Sequence, residues 1–321
     1  MTIDRRQVLA VMTAALAPWR AQAQSYPSKP IRLVVNFAAG GTTDVIARAL
    51  ARPLSTILGQ QVVVENKTGA LGAIGAAEVT RAVPDGHTLL ITTQGSLTEI
   101  PVLSPQTPYD PLTALVPVTL IGESPLILFA HPSFPANDMK GFIEYAKAQP
   151  QGVDMVVTGS SVKLGAFAMQ GAAGIKITQI PYAGQGPALN AVLGGHTKLA
   201  FNTSSTALVQ HVQAGRLKFL GVGSDGPFKL LPQIPAISQT LPGYTAKAWW
   251  GIFAPAGTPS DIVNKVNQAF KRALSEPGME DLFVANAVVQ MTTTPAELGR
   301  IVSKGLTDTR ALVTKYQIPP E

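Results

Sequence analysis

The sequence predicts an α/β protein built from two domains, and three observations lead to this prediction. Short runs of β-branched and apolar residues alternate with amphipathic helical segments, as is typical of βαβ units and a parallel sheet. This alternation occurs in two blocks separated by a Pro-rich middle. The chain crosses between the blocks twice, near residues 118–124 and 246–254, so one block is expected to be inserted into the other.

The N-terminus predicts an export signal. The basic pair Arg5-Arg6 precedes an apolar run over residues 8–17, and Ala21-Gln22-Ala23 matches a small-residue cleavage site. The run is shorter than the roughly 20 residues that a membrane span needs. Pro18 would interrupt the alternative, a buried core helix. We therefore expect residues 1–23 to be removed and the protein to be soluble in the periplasm, with both the general secretory and the twin-arginine export routes open.

Composition excludes several classes of function. The chain has 25 Lys and Arg against 19 Asp and Glu, spread along it without a cluster of basic and aromatic residues. This distribution favours a weak attraction for anions and argues against nucleic-acid binding. The chain has no cysteine, which excludes thiol catalysis and cysteine metal sites. We expect a monomer that carries neither a metal nor a cofactor.

The first block starts with an extended lead-in at residues 27–30 and a strand at residues 31–35 that is apolar on both faces. A turn containing two glycines leads to a helix at residues 44–58, whose apolar residues recur with helical spacing. Gly59 follows in the C-cap position. The block continues with a strand at 61–64, a glycine-rich loop and helix at 69–81, and a strand at 88–92.

The second block repeats the alternation of strands and helices. Its strands are predicted at residues 126–130, 155–158, 177–180, 199–201 and 218–221. Its helices are predicted at residues 139–149, 165–172, 188–193 and 206–214. Two helices then close the chain, one over 259–274 with Thr258 as its cap and Pro259 at its first position, and one over 295–315.

The two crossings divide the mature chain into a discontinuous and an inserted domain. We expect domain 1 to comprise residues 24–122 plus 250–321, and domain 2 residues 123–249. The hinge is expected near Gly122 and Ala248.

Small polar residues follow five of the predicted strands. Ligands of open α/β sheets bind beyond the carboxyl ends of the strands, and such residues donate hydrogen bonds without filling the space that a ligand needs. Each loop taken alone is explained more readily by local capping, and it is the recurrence in five loops that indicates a ligand site. The candidate ligand-binding residues are Phe37, Ala39, Gly40, Gly41, Thr42, Thr43, Asp44, Gln94, Ser96, Gly159, Ser160, Ser161, Tyr182, Ala183, Gly184 and Asn202.

The first of these loops has the features of an anion site built from backbone. Gly40 and Gly41 allow close approach of a ligand, and the helix that follows presents free N–H groups at the positive end of its dipole. An ordinary tight turn between strand and helix explains the same spacing.

Catalytic and metal-binding patterns do not occur in these loops. They contain none of the four histidines, and they match neither a serine-hydrolase elbow, a P-loop nor a full dinucleotide-binding turn. His87, His131 and His196 are expected in solvated loops. Trp249-Trp250 predicts packing at the hinge or in the core, with a stacking platform as the alternative.

An ordered set of motifs resembles a known family of receptors. The set covers essentially all of the mature chain, and its order is more specific than any single motif. It is similar to the substrate-binding receptors of tripartite tricarboxylate transporters, also called Bug-type receptors. The motifs are Tyr26 to Val35, Phe37 with Gly40-Gly41 and Asp44, Val63 to Lys67, Pro84 to Leu90, Ile180 to Tyr182 with Gly184, Leu193 to His196, and Ala254 to Pro259.

The resemblance implies a type II periplasmic-binding-protein fold, with two α/β domains around a ligand cleft. It implies capture of a small carboxylate, either a di- or tricarboxylate, an acidic amino acid or an aromatic acid, for the membrane subunits of a tripartite transporter. The first-strand loop and the loop at Tyr182, Ala183 and Gly184 would hold the carboxylate, largely through backbone N–H groups. Asp44 would act as a helix cap and organiser. Ala38 and Ala39 stand where the family usually has prolines, and Asn202 where an acidic residue is frequent.

Two other functions are compatible with the same site. The first is a sensor module that presents its ligand-bound state to a membrane signalling partner. The second is a periplasmic hydrolase or isomerase, for which Ser160 would be the nucleophile and for which the sequence offers no base. We expect a receptor and not an enzyme.

Overall fold

Ten strands form one curled sheet within residues 26–182 and 184–320, which the computed structural model describes. The predicted signal peptide and Ala183 lie outside the described residues. Numbered along the chain, the strands are β1 (Ile31–Val35), β2 (Val62–Asn66), β3 (Thr88–Thr93), β4 (Leu115–Ala130), β5 (Val153–Val157), β6 (Ile177–Pro181), β7 (Leu199–Thr203), β8 (Lys218–Val222), β9 (Lys247–Pro255) and β10 (Val289–Gln290). The sheet has the order β2-β1-β3-β9-β4-β7-β5-β6, and β8 and β10 both pair with β4.

The first block forms as the periodicity of the sequence predicts. Strand β1 pairs in parallel with β2 on one side and with β3 on the other. Gly59, with φ +70°, ends the first helix in the left-handed conformation that glycine adopts most readily. The elements are β1 (Ile31–Val35), α1 (Thr42–Leu58), β2 (Val62–Asn66), a 3₁₀ turn (Ala70–Gly72), α2 (Ala73–Thr80) and β3 (Thr88–Thr93).

Helical turns replace part of the loop that the sequence predicts after β3. A π-helical turn at Gly95–Glu99 leads directly into α3 (Ile100–Leu103), and α4 (Pro111–Ala114) follows. Asp110 caps α4, because its side chain accepts a hydrogen bond from the Leu112 N–H at 2.9 Å.

The chain then passes into the second block along one long strand, β4 (Leu115–Ala130). The sequence predicts only residues 126–130 as strand. The strand is longer because residues 115–125 pair with the returning strand β9 (Lys247–Pro255), whereas residues 126–130 pair with strands of the second block. The two crossings thus lie side by side as one antiparallel pair, with Gly122 opposite Trp250. Within β4, the pairing changes at residues 125–126 from β9 to the strands of the second block. The exact domain boundaries stay a prediction.

The second block combines parallel and antiparallel pairs of strands. Strand β5 pairs in parallel with β6 and β7, and β4 runs antiparallel to β7 and β8. The elements are α5 (Met139–Lys147), β5 (Val153–Val157), α6 (Ser160–Ala173), β6 (Ile177–Pro181), α7 (Gln185–Leu193), β7 (Leu199–Thr203), α8 (Thr206–Gln213), β8 (Lys218–Val222) and a 3₁₀ turn (Ile237–Gln239).

The C-terminal elements cover both faces of the first block. They are α9 (Ser260–Leu274), α10 (Met279–Ala285), β10 (Val289–Gln290) and α11 (Pro295–Tyr316). Helix α11 starts with a capping box in which Thr294 and Glu297 satisfy each other's backbone N–H groups. The predicted cap of α9 is wrong, because Pro259 occupies the N-cap position and the Thr258 hydroxyl donates instead to the Pro255 carbonyl at 2.8 Å.

Burial follows the sequence pattern with one notable exception. Strands β1, β3 and β7 are buried on both faces over most of their length, as their apolar runs predict, whereas the edge strands β2 and β6 are partly exposed. The expectation of a solvated His87 is wrong: this side chain is buried, its Nε2 accepts from the Ser28 N–H, and its ring packs edge-on against Tyr26. Among the described residues, no helix has both the length and the apolar content that a membrane crossing requires.

Candidate ligand site

A cavity of about 440 Å³ lies where the two blocks face each other. This volume falls within the range of sites for small molecules. Residues at or just after the carboxyl ends of β1, β3, β5 and β7 contribute to it, together with the first turns of three helices and the two crossing strands. The lining consists of Phe37, Ala38, Ala39, Gly40, Gly41, Thr42, Thr43, Thr93, Leu126, Thr158, Gly159, Ser161, Val162, Gly184, Gln185, Gly186, Pro187, Asn202, Thr203, Ala248 and Trp250.

The first side of the cavity is the N-terminus of α1. Gly41 is the N-cap residue and has no side chain with which to cap the helix, so the first N–H groups of α1 have no acceptor within it. Gly40 has φ +80°, a conformation that favours glycine, and it turns the chain from the strand into the helix. The loop therefore presents backbone donors and the positive end of a 17-residue helix to the cavity.

Asp44 holds this loop in place from behind. Its Oδ2 accepts from the Gly40 N–H at 2.9 Å and from Arg48 Nε at 2.9 Å, and its Oδ1 accepts from Asn66 Nδ2 at 2.9 Å. Burial by itself raises the pKa of Asp44, but the bonds from Arg48, Gly40 and Asn66 together with the Arg48 charge outweigh it and hold the pKa below its usual value. The predicted organising role fits these contacts. The predicted capping role does not, because Gly41 is the N-cap and no side chain caps α1.

The second side of the cavity is the N-terminus of α6. Gly159 is its N-cap residue and again provides no side-chain cap. The Ser161 hydroxyl, in the first turn, donates to Oε2 of the buried Glu99 at 2.8 Å. Ser160 is buried beside Gly95. A Cβ atom added to Gly95 would lie only 2.6 Å from the Oγ of Ser160. This close fit brings the π-helical turn of the first block against α6.

The third side of the cavity is the N-terminus of α7, where Gly184 is the N-cap residue without a side-chain cap. Gln185 follows, and its amide group is fully engaged. Its Nε2 donates to the carbonyls of Thr203 at 2.7 Å and Ser204 at 3.2 Å, and its Oε1 accepts from the Thr42 hydroxyl at 3.1 Å. The last bond joins the first turns of α1 and α7 across the cavity.

Three glycine N-caps thus converge on one cavity. Side chains of Asp110, Asp138, Ser205 and Thr294 cap helices elsewhere in the described chain. An absent cap alone does not mark a site, because α2, α9 and α10 also lack one. The convergence of three uncapped N-termini on one cavity does indicate a site, because their free N–H groups and the positive ends of their helix dipoles together favour a bound anion.

The floor of the cavity is formed by the crossing strands. Leu126 comes from β4, and Ala248 and Trp250 come from β9. The indole Nε1 of Trp250 donates to the Thr43 hydroxyl at 2.9 Å, and this side chain is 2% exposed. Trp249 packs instead in the core beside Phe253. The pair therefore divides its roles, one residue lining the site and the other packing.

Ten of the candidate residues line the cavity: Phe37, Ala39, Gly40, Gly41, Thr42, Thr43, Gly159, Ser161, Gly184 and Asn202. Asp44 and Ser160 lie directly behind it, as described above.

Three further candidates lie elsewhere. Ser96 is fully buried, where its Oγ accepts from Asn36 Nδ2 and its carbonyl from the Tyr109 hydroxyl. Gln94 Nε2 donates to Glu99 Oε1 and to the Lys247 carbonyl. Tyr182 packs against the core of the second block. Ala183 lies outside the described residues.

The structure also adds lining residues that the candidate set lacks. Thr93, Gln185, Gly186 and Pro187 belong to loops that the sequence marks, so the strand-end signal could have found them. The sequence does not predict Leu126, Val162 and Ala248 as lining residues, because an apolar residue in a strand or helix is predicted to pack in the core. No histidine lies among the described lining residues, and no group of potential ligands in the described chain could hold a metal ion.

The chain is similar to known proteins over nearly its whole length. The profile described as tripartite tricarboxylate transporter family receptor matches residues 46–318. Protein BugT of Bordetella pertussis (strain Tohama I) is 34% identical over 289 residues, which cover 89% of this chain and 88% of BugT.

Solved structures show the same similarity. The periplasmic binding protein BugD superposes with a TM-score of 0.85 at 31% identity, covering 92% of this chain and 100% of BugD. R. palustris Rpa4515 with adipate superposes with a TM-score of 0.87 at 28% identity, again covering 92% and 100%.

The fold and the cavity therefore place the chain in the class of periplasmic solute receptors. The chain belongs to the tripartite tricarboxylate transporter receptor family. The predicted α/β fold class of type II periplasmic-binding-protein architecture and the family resemblance are confirmed.

Proposed function

We propose that the protein is a periplasmic receptor that reversibly captures a small carboxylate in the 440 Å³ cavity and delivers it, as a monomer, to the membrane subunits of a tripartite transporter. The observation that carries this proposal is the convergence of three uncapped helix N-termini on that one cavity. Rpa4515, a similar receptor, is solved with adipate, which supports a carboxylate as the ligand class.

Backbone groups would provide most of the binding energy. Each charge-assisted hydrogen bond from an N–H group to a carboxylate contributes roughly 1.5–3 kcal/mol. The first turns of α1 and α7 meet at the bond between Thr42 and Gln185, so their N–H groups can act on one carboxylate. No arginine or lysine lies among the described lining residues, and none is required for this mode of binding.

The same lining supports capture without turnover. None of the described lining residues is a histidine, carboxylate or amine, the groups that usually act as general bases, and the Glu99 carboxylate bonded to Ser161 lies outside the lining. We expect the ligand to be recovered unchanged after denaturation of the complex, as mass spectrometry would show.

The test of the site is a charge placed at the N-terminus of α1. A Cβ at Gly41 would lie 3.6 Å from the Ala38 carbonyl, an ordinary contact, so a side chain fits there. Gly41→Asp places a carboxylate among the donors and should abolish binding in calorimetry against a panel of mono-, di- and tricarboxylates. Gly41→Asn is the matched control, because it has the same shape without the charge.

Two outcomes would contradict the proposal. If Gly41→Asp binds carboxylates as well as the wild-type protein does, the anion site lies elsewhere. If the wild-type protein binds no carboxylate of the panel, the ligand class is wrong.

A further inference from the structure

A second pocket, of about 570 Å³, lies beside the crossing strands. This hinge-side pocket is lined by residues 274–278 at the end of α9, by part of α10 and by residues 288–290, and Leu230 of the second block completes it. It shares no lining residue with the ligand cavity. The capture of a carboxylate in that cavity makes no use of the hinge-side pocket.

The hinge-side pocket is acidic, although basic residues are in excess in the chain as a whole. Glu276, Glu280 and Asp281 line it, all three are exposed, and its described lining contains no lysine, arginine or histidine. None of these carboxylates is paired with a basic group of a described residue. Glu280 and Asp281 also stabilise the positive end of α10, whereas Glu276 lies before that helix. The pocket therefore attracts a cationic group.

Apolar side chains accompany the carboxylates. Val284 and Val289 are 46% and 42% exposed, and Phe283 and Val288 of the same lining are buried. A metal ion does not fit this lining, since no group of potential ligands in the described chain could hold one. A small organic cation would leave the two valines in water. The lining suits a protein segment in which a basic side chain stands next to an apolar one.

Only one strand separates the hinge-side pocket from the ligand cavity within the sheet. Gly122 of β4 pairs on one side with Trp250, which lines the cavity, and on the other with Gln290, which lines the pocket. A Cβ atom added to Gly122 would lie 2.7 Å from Cγ1 of Val288 and 3.0 Å from the ring of Phe283. The lining of the pocket therefore packs directly on the crossing strand, and bending of that strand shifts the lining.

Both blocks contribute to the surroundings of the hinge-side pocket. Leu230 lines it from the second block. Ala287, between α10 and β10, packs in the same apolar cluster as Ile127 of the second block. The hydroxyl of Thr206, at the start of α8, donates to the Ala285 carbonyl at the end of α10 at 3.1 Å. The shape of the pocket therefore depends on how the two blocks are arranged.

Resting on the function proposed above, we propose that the hinge-side pocket is the surface on which a membrane subunit of the transporter docks. The docking segment carries an arginine or lysine next to an apolar side chain. Its cationic group pairs with the carboxylates of Glu276, Glu280 and Asp281. Its apolar group covers Val284 and Val289, which removes their exposed surface from water.

Docking at this surface distinguishes the loaded receptor from the empty one. The pocket has its present shape in the arrangement in which α1 and α7 are bonded across the cavity through Thr42 and Gln185. A bound carboxylate is expected to favour that arrangement. The docking segment therefore binds the loaded receptor more tightly, and by reciprocity it raises the affinity of the receptor for the carboxylate by the same factor.

A labelled peptide takes the place of the membrane subunit in the test. The heptapeptide Gly-Leu-Arg-Leu-Arg-Leu-Gly, with fluorescein at its N-terminus and an amidated C-terminus, alternates apolar and cationic side chains. Fluorescence anisotropy at about 50 mM salt, which screens exposed charges only weakly, should show that it binds the full mature protein. Peptides with glutamate in place of arginine, or serine in place of leucine, should bind at least tenfold more weakly.

Variants of the receptor locate the binding site of the peptide. Glu280→Gln combined with Asp281→Asn removes two charges of the pocket and should weaken peptide binding at least fivefold. Glu144→Gln combined with Asp154→Asn is the matched control, because it removes two exposed carboxylates of the second block that lie outside the pocket. The control should bind the peptide as the wild-type protein does. Val289→Ser keeps every carboxylate and should weaken binding at least threefold.

A carboxylate tests the dependence on the loaded state. The carboxylate that binds most tightly in the calorimetric panel should raise the affinity of the wild-type protein for the peptide at least threefold. Without peptide, all the variants should bind this carboxylate as the wild-type protein does, because none of the changed residues lines the ligand cavity. An affinity for the peptide that does not change with the carboxylate would show that the surface does not report the loaded state.

The remaining outcomes separate this inference from the function on which it rests. If the wild-type protein does not bind the peptide, or if the pocket variant and its control bind it alike, the hinge-side pocket is not a docking surface while carboxylate capture stands. If no carboxylate binds, the proposed function fails, and the peptide and its variants decide on the surface alone. If light scattering shows a dimer that the pocket variant dissociates, the occupant is a second copy of this chain and the proposal is wrong.

Discussion

Single residues set the shape of the cavity through bonds that lie behind its surface. The hydroxyl of Thr43 accepts from the buried indole of Trp250, and this bond links the first turn of α1 to the crossing strand β9. A buried donor left without an acceptor costs about 1–3 kcal/mol, so the bond fixes the orientation of both side chains. The apolar face of Trp250 is thereby held as the floor of the site.

Asp44 gives a prediction about pH. Its pKa lies below its usual value in the folded protein, so the stabilisation that it provides is present above the unfolded-state pKa of about 3.9 and is lost as the pH falls through the folded-state pKa. Asp44→Asn cannot titrate and should be less stable than the wild-type protein at pH 7. The difference in the free energy of unfolding should shrink as the pH falls below about 4.

Chemical denaturation of both proteins from pH 7 to pH 3 measures this difference. Asp138→Asn is a useful reference, because the Asp138 side chain also accepts from a backbone N–H but lies at an exposed helix end away from the cavity. A gap between wild-type and Asp44→Asn that stays constant over the whole range would contradict the assigned role of the carboxylate.

At the scale of single residues, the sequence predicts the features that depend on neighbouring positions in the chain. Gly40, Gly41 and Gly159 could be found because a glycine after a strand signals close approach of backbone. The partners of Thr42 and Thr43, by contrast, are Gln185 and Trp250, which lie more than 140 residues further along the chain. Such pairings depend on how the two blocks meet, and no local pattern encodes that.

At the scale of helices and strands, hydrophobic periodicity predicts most of the elements. It places the ends of the helices less well. The sequence predicts the parallel strands of both blocks within a few residues. It predicts loops where the first turns of α6 and α7 lie, because Gly, Ser and Gln at a helix start have the composition of a turn. This difference matters for function, since those first turns carry the free N–H groups.

The N-cap of α6 gives a prediction that separates stability from binding. Gly159 has an extended backbone, and a Cβ there would meet no atom within 4 Å. Gly159→Asp would supply the side-chain cap that α6 lacks and should raise the free energy of unfolding by a few tenths of a kcal/mol. The same carboxylate would occupy N–H groups that face the cavity, so affinity for the ligand should fall at least tenfold.

Gly159→Ala is the control for this prediction, because it adds a side chain without an acceptor. It should leave affinity within about threefold of the wild-type value. Equal losses of affinity in both variants, measured by calorimetry, would show that space and not donor occupancy matters at this position.

On the scale of the whole molecule, the two blocks are joined by strands and by contacts across the cavity. Strands β4 and β9 connect the blocks as one antiparallel pair, and we expect any movement of the blocks relative to each other to bend this pair. The bonds from Thr42 to Gln185 and from Ser161 to Glu99 connect the blocks on either side of the cavity. We expect a bound carboxylate to favour the arrangement in which these contacts are made.

Removal of one such contact tests this view of closure. Thr42→Val keeps the shape of the side chain and deletes only the bond to Gln185, whose bonds to Thr203 and Ser204 remain. A bond of this kind contributes about 0.5–1.5 kcal/mol, so affinity should fall roughly 2- to 12-fold. The loss should come from faster ligand release, because the contact acts after the ligand has entered.

Thr42→Ser retains the hydroxyl and should bind as the wild-type protein does. Small-angle scattering should show ligand-dependent compaction in the wild-type and Thr42→Ser proteins at lower ligand concentrations than in Thr42→Val. If the three proteins compact and release ligand alike, the contact between α1 and α7 has no part in closure, and the pairing of crossing strands alone would have to set the closed arrangement.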